Sequence, residues 1–282
     1  MNKTIYNDAE KNSIRFSQIK KIEAEMPFTG LGVKYVASGE EIYFANDRKY
    51  IVKEGEYIIG NDFTSSNVKI DQNQMVQGLC IDISAQIIAE VAEYHDVSGS
   101  DLKEFLLSDQ FFVNKYNAKN TCLGYTLNEI NRKIISGTLR NDLQQNEIFY
   151  SLGESIIIDQ RFVFDHLNKM DFKKVITNEE VLRSLLNAKA FMDEQLFQNL
   201  SLEQICSNAG ISKYHFIRLF KSTFGVSPYQ YQKRKRLENA KVELIAGKSV
   251  LEVAEANGYA DVPTFSKAFK QVFGSTPGSI SK

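Results

Sequence analysis

The sequence is poor in the residues that most often build metal and nucleophile sites. Its 282 residues include only three cysteines and three histidines. The cysteines are Cys80, Cys122 and Cys206, and their spacing matches no metal-ligand motif. An odd number of scattered thiols in a reducing compartment is typical of unpaired, structural cysteines. We therefore expect no cysteine-based metal site.

Long apolar segments are also missing. The longest apolar run is far shorter than a membrane span, and the opening stretch MNKTIYNDAEKNSIRF lacks the apolar region of a secretory signal. We therefore expect a cytoplasmic protein with no membrane partner. With 43% hydrophobic and 24% charged residues, the chain is typical of globular proteins and long enough for two domains.

The formal net charge of −1 hides an uneven distribution of charge along the chain. From residue 201 onward, 12 Lys and Arg stand against 6 Asp and Glu, a net charge of +6, whereas the first 200 residues carry −7. A basic module joined to an acidic one is typical of a nucleic-acid-binding domain attached to a non-binding domain. A basic surface that is only solvated stays open as the alternative.

The basic region contains an internal repeat. Residues 201–228, SLEQICSNAGISKYHFIRLFKSTFGVSP, align with residues 249–277, SVLEVAEANGYADVPTFSKAFKQVFGSTP. The offset is 48 residues before the first glycine and 49 after it, so that Gly210 matches Gly258. So many matched residue types in one register indicate a duplicated structural motif.

Each copy has the pattern of a helix, a short turn and a second helix. The first helix begins with a serine that is followed three residues later by Gln or Glu, which is a capping box. A glycine suited to a positive φ forms the turn, and another glycine ends the second helix. The capping-box serines are Ser201 and Ser249, and the expected N-caps of the second helices are Ser212 and Asp261. The sequence therefore predicts two helix-turn-helix motifs.

The second helix of each motif leaves one face outside its apolar core. That face carries Tyr214, Ile217, Arg218 and Lys221 in the first copy, and Pro263, Ser266, Lys267 and Lys270 in the second. An α-helix fits the major groove of B-DNA, where an Arg can bind a guanine edge and an apolar side chain a thymine methyl. Arg218 and Ile217 suit these two tasks. A solvated helix face is the alternative, and the duplication at matched positions favours DNA binding.

A longer helix is predicted between the two motifs, with Ser227 as its N-cap, Pro228 at its first position and Gly247 just past its end. Its apolar seam can hold the motifs at a fixed separation. The basic run of Lys233, Arg234, Lys235 and Arg236 is expected either to contact DNA phosphates or to remain a solvated face.

Residues 180–282 resemble the DNA-binding domain of the AraC/XylS family of bacterial transcription regulators. The resemblance is carried by LEQICSNAGISKYHFIRLFKSTFGVSP, by Tyr231, Arg236, Leu237 and Ala240 of the linking helix, and by VLEVAEANGYADVPTFSKAFKQVFGSTP. It implies seven helices, two of which enter successive major grooves on one face of the duplex. It also implies RNA polymerase as a partner.

The resemblance further implies which side chains contact DNA. In the first motif they are Lys213, Tyr214, Ile217, Arg218 and Lys221, and in the second motif Val262, Pro263, Thr264, Ser266, Lys267 and Lys270. Many family members have a polar side chain at the place of Pro263, so the resemblance predicts base recognition less firmly for the second helix than for the first.

The first 170 residues have the pattern of a β domain. Residues 30–83 contain short strand-like segments between polar turns, and Asn46-Asp47 is expected to form a two-residue hairpin turn. Such spacing indicates a sandwich or barrel. The segment VASGEEIYFANDRKYIVKEGEYIIG resembles the cupin-type effector-binding barrel of many AraC-like regulators. Four tyrosines lie on these segments, namely Tyr35, Tyr43, Tyr50 and Tyr57. Strand pleating is expected to point only some of them into the barrel interior.

Helical patterns follow the strands. The longest, residues 145–170, is expected either to pack in the core or to pair two subunits in a homodimer. The sequence thus predicts an α+β protein with an amino-terminal cupin-like β-barrel and packed helices in residues 1–170, for effector binding, dimerisation or both. Residues 171–179 are the predicted linker, and residues 180–282 the predicted all-α DNA-binding domain.

Cupin barrels also hold metal-dependent enzymes, which makes catalysis the rival interpretation. His95, His166 and His215 lie far apart, and the sequence shows no Ser-His-Asp arrangement, phosphate loop or paired cysteine motif. We therefore expect no catalytic residue, cofactor or metal. The predicted function is a sequence-specific DNA-binding transcription regulator, an effector-responsive activator. A constitutive regulator whose amino-terminal domain only dimerises stays open.

Overall fold

The structure is a computed structural model that describes residues 2–95, 101–139, 147–169, 175–198 and 200–280. The chain divides into an amino-terminal unit, Met1–Asp171, and a carboxyl-terminal unit, Phe172–Lys282. Among the residues described, no helix combines the length and the hydropathy that crossing a membrane requires.

The amino-terminal unit is built on antiparallel strands. They are β1 (Asn2–Asn7), β2 (Ser13–Glu25), β3 (Leu31–Ser38), β4 (Glu40–Ala45), β5 (Arg48–Lys53), β6 (Glu56–Asn61), β7 (Ser66–Ile83) and β8 (Asn114–Asn117). Their order in the sheet is β1-β2-β7-β3-β6-β8, and β4 pairs with both β5 and β7.

The predicted α+β class is confirmed, and the predicted cupin-like barrel is an open antiparallel sheet rather than a closed one. The long strand β7 pairs along one edge with β2. Its other edge is shared, since residues 66–69 pair with β4 and residues 77–83 pair with β3. The sheet therefore branches at β7, and β1 and β8 end its main path without pairing to each other in the described part of the chain.

The predicted hairpin turn is confirmed, and the four tyrosines of these strands lie in two opposed pairs. Asn46 and Asp47 have φ values of 45° and 61° and join β4 to β5. Tyr43 lies opposite Tyr50, and Tyr35 lies opposite Tyr57, so each pair shares one face of the sheet. All four rings are buried, with at most 7% of their surface exposed.

Four helices accompany the sheet in the described part of this unit. They are α1 (Ala85–His95), α2 (Asp101–Leu107), α3 (Cys122–Ser136) and α4 (Glu147–Lys169). Of the predicted 145–170 helix, residues 145, 146 and 170 lie outside the described residues. The buried face of α4 includes Phe149, Leu152 and Ile156, which supports the core interpretation for that face, whereas Ile158 and Phe162 are exposed.

The carboxyl-terminal unit is helical. Its helices are α5 (Val175–Glu194), α6 (Leu202–Ala209), α7 (Lys213–Phe224), α8 (Pro228–Ile245), α9 (Val250–Ala256) and α10 (Val262–Phe273). Residues 175–198 and 200–280 thus contain six α-helices, and the seventh helical element is a 3₁₀ turn at Pro277–Ser279. Residues 171–174 of the predicted linker lie outside the described residues, and its last five residues belong to α5.

Candidate nucleic-acid interface

The first helix of each motif begins with the capping box that the sequence predicts. In α6, the Gln204 amide donates to Ser201 Oγ at 3.2 Å, and the Ser201 amide donates to Gln204 Oε1 at 2.8 Å. In α9, the equivalent bonds between Ser249 and Glu252 are 3.3 and 3.0 Å. Both starts satisfy backbone amides that a helix leaves unpaired.

The second helices, α7 and α10, begin differently from each other. At α10, Asp261 Oδ1 accepts the Thr264 amide at 2.6 Å, and this bond holds the pKa of the exposed Asp261 carboxyl below its usual range. At α7, Ser212 has the extended backbone of an N-cap, but its hydroxyl makes no capping bond. The predicted N-cap at Asp261 is therefore confirmed. Ser212 occupies the N-cap position of α7, but its side chain does not cap the helix.

Pairs of phenylalanine rings in tilted contact anchor α7 and α10 at matched positions of the repeat. Phe216 and Phe220 in α7 and Phe265 and Phe269 in α10 have no exposed surface. The ring centroids are 5.4 Å apart in the first pair and 5.6 Å apart in the second. Because the same face is buried in both helices, the opposite face is the one each motif presents to solvent.

The outer face of α7 carries every residue that was predicted to contact DNA there. Lys213, Tyr214, Ile217, Arg218 and Lys221 are all exposed. Tyr214 is 74% exposed and Ile217 is 39% exposed, although both are large and partly apolar. Lys213 forms an ion pair with Glu203 at the start of α6 and thus lies at the edge of the face.

Fewer of the residues that were predicted to contact DNA lie on the outer face of α10. Thr264, Lys267 and Lys270 are exposed, and Ser266 is half-buried. Val262 instead packs against the core cluster that contains Phe265 and Phe269. A valine in the first turn of a helix can point back toward the preceding turn, which the spacing rule for exposed positions did not reveal.

Three of the four basic side chains in the α8 run have partners within the carboxyl-terminal unit. Arg234 and Lys235 both pair with Glu238, at 3.0 and 3.4 Å. Arg236 donates from Nε to the Leu196 carbonyl at 2.7 Å and from Nη2 to the Gln198 carbonyl at 2.9 Å. Arg236 therefore fastens α8 to the chain that follows α5, which the sequence-based hypotheses of a phosphate contact or a solvated face did not foresee.

A second link between α5 and α8 was also missed by sequence reasoning. The Tyr231 hydroxyl donates to Asp193 Oδ1 at 2.6 Å, and Lys189 Nζ lies 3.3 Å from Asp193 Oδ2. Burial and the neighbouring Asp193 carboxylate raise the pKa of Tyr231 far above its usual range. Tyr231 and Asp193 are 38 positions apart in the sequence, so the residue spacing within either helix does not predict this contact.

No group of three or more His, Cys, Asp or Glu side chains within the described ranges is placed to hold a metal ion. His215 is exposed at the start of α7. The interface offers helical faces, hydroxyls and cations rather than a metal centre.

Residues 205–282 match a family described as a helix-turn-helix domain. These residues are an AraC-type helix-turn-helix domain. The domain match covers α7 and α10 entirely, so the two exposed faces described above belong to it.

Similar proteins include two bacterial regulators. The probable transcriptional regulator LumQ of Photobacterium leiognathi is 36% identical over 89 residues, which are 31% of this chain and 36% of LumQ. The raffinose operon transcriptional regulatory protein RafR of Pediococcus pentosaceus is 24% identical over 289 residues, covering 99% of this chain and 97% of RafR. The chain thus matches about a third of LumQ but nearly all of RafR.

Among solved structures, ToxT from Vibrio cholerae strain SCE256, crystallised with an unsaturated fatty acid, is similar to this chain. The alignment covers 97% of this chain and 95% of that chain, at 12% identity and a TM-score of 0.40.

Proposed function

We propose that this regulator recognises a specific operator through α7 and α10, with α7 supplying most of the base recognition. The proposal is carried by one observation, namely that two motifs with the same buried face expose matched outer faces that carry cations. On α7, Arg218 has a planar donor fork for a guanine edge and Ile217 an apolar surface for a thymine methyl. On α10, Pro263 stands where a base-recognising side chain would stand.

The test compares Arg218→Ala with Lys267→Ala, which are matched positions of the repeat. Loss of Arg218 is expected to cost about 1–3 kcal/mol on the operator and to relax specificity at one base. Loss of the flexible Lys267 charge is expected to weaken binding to all sequences alike, because phosphate contacts carry no sequence information. The measurement is the affinity of each variant for the operator, selected from random DNA, and for a scrambled duplex.

The proposal is contradicted if Lys267→Ala lowers the ratio of operator affinity to scrambled-DNA affinity as much as Arg218→Ala does. The wild-type chain must also bind DNA with a strong dependence on salt, since phosphate contacts release counterions. Absence of binding at low salt would refute the DNA-binding role itself. As a DNA-binding regulator, the protein is proposed to act in the cytoplasm, with RNA polymerase as a further partner.

We also propose that the amino-terminal unit binds a small-molecule effector that makes the regulator an activator. A cavity of about 70 Å³ lies within this unit. Apolar side chains of β2 and β7 line it, among them Phe16 and Ile70, together with the polar groups of Arg15 and Glu41. Glu41 is 5% exposed and accepts the Tyr43 hydroxyl at 2.5 Å, and burial raises the pKa of its carboxyl. A mostly apolar lining with a few polar groups is typical of small-molecule sites, whereas the volume is well below the roughly 300–1,000 Å³ of drug-sized pockets, so only a very small ligand fits.

The effector hypothesis is tested by following the melting temperature of the full chain during titration with fractionated metabolites. A ligand at 100 times its Kd is expected to stabilise the native state by about 2.7 kcal/mol. Glu41→Gln should reduce that stabilisation, whereas Glu40→Gln, the neighbouring residue outside the cavity lining, should leave it unchanged. If no fraction raises the melting temperature, the alternative of a constitutive regulator whose amino-terminal unit only forms a homodimer is favoured.

A further inference from the structure

The carboxyl-terminal unit contains a cleft of about 360 Å³ between α8 and α10. Gln232 and Lys233 of α8 form part of one wall, and Thr264 and Lys267 of α10 form part of the other. The turn that precedes α10 lines the same cleft at Tyr259. No Asp or Glu is among the lining residues. The cleft is thus a concave surface supplied with cations and hydrogen-bond donors from two helices.

The positive charge of the cleft is not neutralised within the described part of the chain. Lys233 and Lys267 make no ion pair with any residue described there, whereas Arg234 and Lys235, next to Lys233, both pair with Glu238. Two ammonium groups that line one cleft without a carboxylate repel each other and attract an anion. The charge pattern of α8 therefore separates Lys233 from the rest of the basic run.

Gln232 adds a second observation that points to a ligand. The residue lines the same wall as Lys233, and its amide nitrogen Nε2 is buried beneath that wall with no acceptor in the structure described. A buried donor without a partner is unfavourable, and native proteins leave few of them. Rotation of the Gln232 side chain toward the cleft would let an anion held by the two lysines accept this donor.

The position of the cleft indicates which anion it takes. Thr264 and Lys267 lie on the exposed side of α10, so the wall of the cleft is continuous with the face proposed above to enter a major groove. A helix in the major groove is flanked by a sugar-phosphate strand on each side. We propose that the cleft seats a backbone phosphate of the strand beside α10, held by Lys233, Lys267 and the Gln232 amide; this inference rests on the proposed DNA-binding function.

The experiment compares Lys233→Ala with Arg234→Ala in the full chain. The two variants lose the same formal charge from adjacent positions of α8, so Arg234→Ala is the matched control. Operator and scrambled duplexes are titrated between 50 and 200 mM salt, a range over which phosphate contacts dominate the salt dependence. Lys233→Ala is expected to reduce the slope of log K against log salt by about 0.9, the value for one phosphate contact on duplex DNA.

Lys233→Ala should weaken both duplexes by the same factor, and Lys233→Arg, which keeps the charge, should retain the wild-type slope. Arg234→Ala should also retain that slope, because its guanidinium is already paired with Glu238. A wild-type slope for Lys233→Ala, or an equal reduction for Arg234→Ala, overturns the phosphate site while leaving the proposed function intact. Failure of the wild-type chain to bind either duplex overturns the proposed function and this inference with it.

Discussion

Replacing Phe269 with alanine is expected to destabilise the second motif by about 3–5 kcal/mol. Binding to the operator and to scrambled DNA is then expected to weaken alike, because α10 is proposed to contact phosphates rather than to supply most of the base recognition. The Phe269 ring has no exposed surface and lies between Phe265 and Phe273, at centroid distances of 5.6 and 4.6 Å. It belongs to the cluster that joins α8, α9 and α10 through Leu237 and Val253. Losing the ring leaves a cavity in the only apolar layer that holds α10 in place among the residues described.

Amide hydrogen exchange measured on the full chain checks this expectation, because it reports the stability of α9 and α10 separately from the rest. Val272→Ala serves as the control, since Val272 lies on the same helix but is 39% exposed. That variant should change the free energy of unfolding by less than about 0.5 kcal/mol. Unchanged exchange in α9 and α10 of Phe269→Ala would show that the apolar cluster does not hold the second motif together.

Asp82→Asn is expected to destabilise the amino-terminal unit by about 3–5 kcal/mol, because it leaves a buried ammonium group without its nearest charge partner. Lys34 has no exposed surface, and its Nζ lies 3.8 Å from Asp82 Oδ1. The other oxygen of Asp82 accepts Arg15 Nη2 at 2.5 Å and Ser13 Oγ at 3.0 Å. The substitution keeps the shape of the side chain and removes the charge that both cations face.

The matched control is Asp71→Asn, which breaks the Lys21–Asp71 ion pair of 2.8 Å on the same sheet. Both of its partners are well exposed, so the expected change is within about 1 kcal/mol. Urea unfolding combined with hydrogen exchange of the β3 and β7 amides gives both values. If Asp82→Asn lost less than about 1 kcal/mol, the buried carboxylate of Glu41 would be the group that compensates Lys34.

Much of the DNA-binding unit was predictable because its determinants are local. The capping boxes at Ser201 and Ser249 join residues three positions apart. The buried rings of α7 and α10 follow the four-residue spacing of a helix, and the repeat showed the same pattern twice. The contacts of Lys213, Arg218 and Lys267 with DNA stay predictions, although the structure leaves all three exposed.

The amino-terminal unit was less predictable, because strand segments show in a sequence but their partners do not. The hairpin turn at Asn46 and Asp47 was predictable, since a two-residue turn depends on neighbouring residues. The sharing of one edge of β7 between β3 and β4 was not, and neither was the lack of pairing between β1 and β8 in the described part of the chain, which leaves the sheet open. The alternation of apolar residues is the same in an open sheet and a closed barrel.

The sequence by itself determined the number of helix-turn-helix motifs, their boundaries and the face that the second helix of each motif exposes, because these depend on contacts within about four residues. The tertiary structure alone decided how the remaining charges are used. Arg236 binds a carbonyl 40 residues away, and Arg15 binds a carboxylate 67 residues away. No periodicity connects such partners, so whether a lysine or arginine fastens the fold or stays available for DNA is settled only when distant segments pack together.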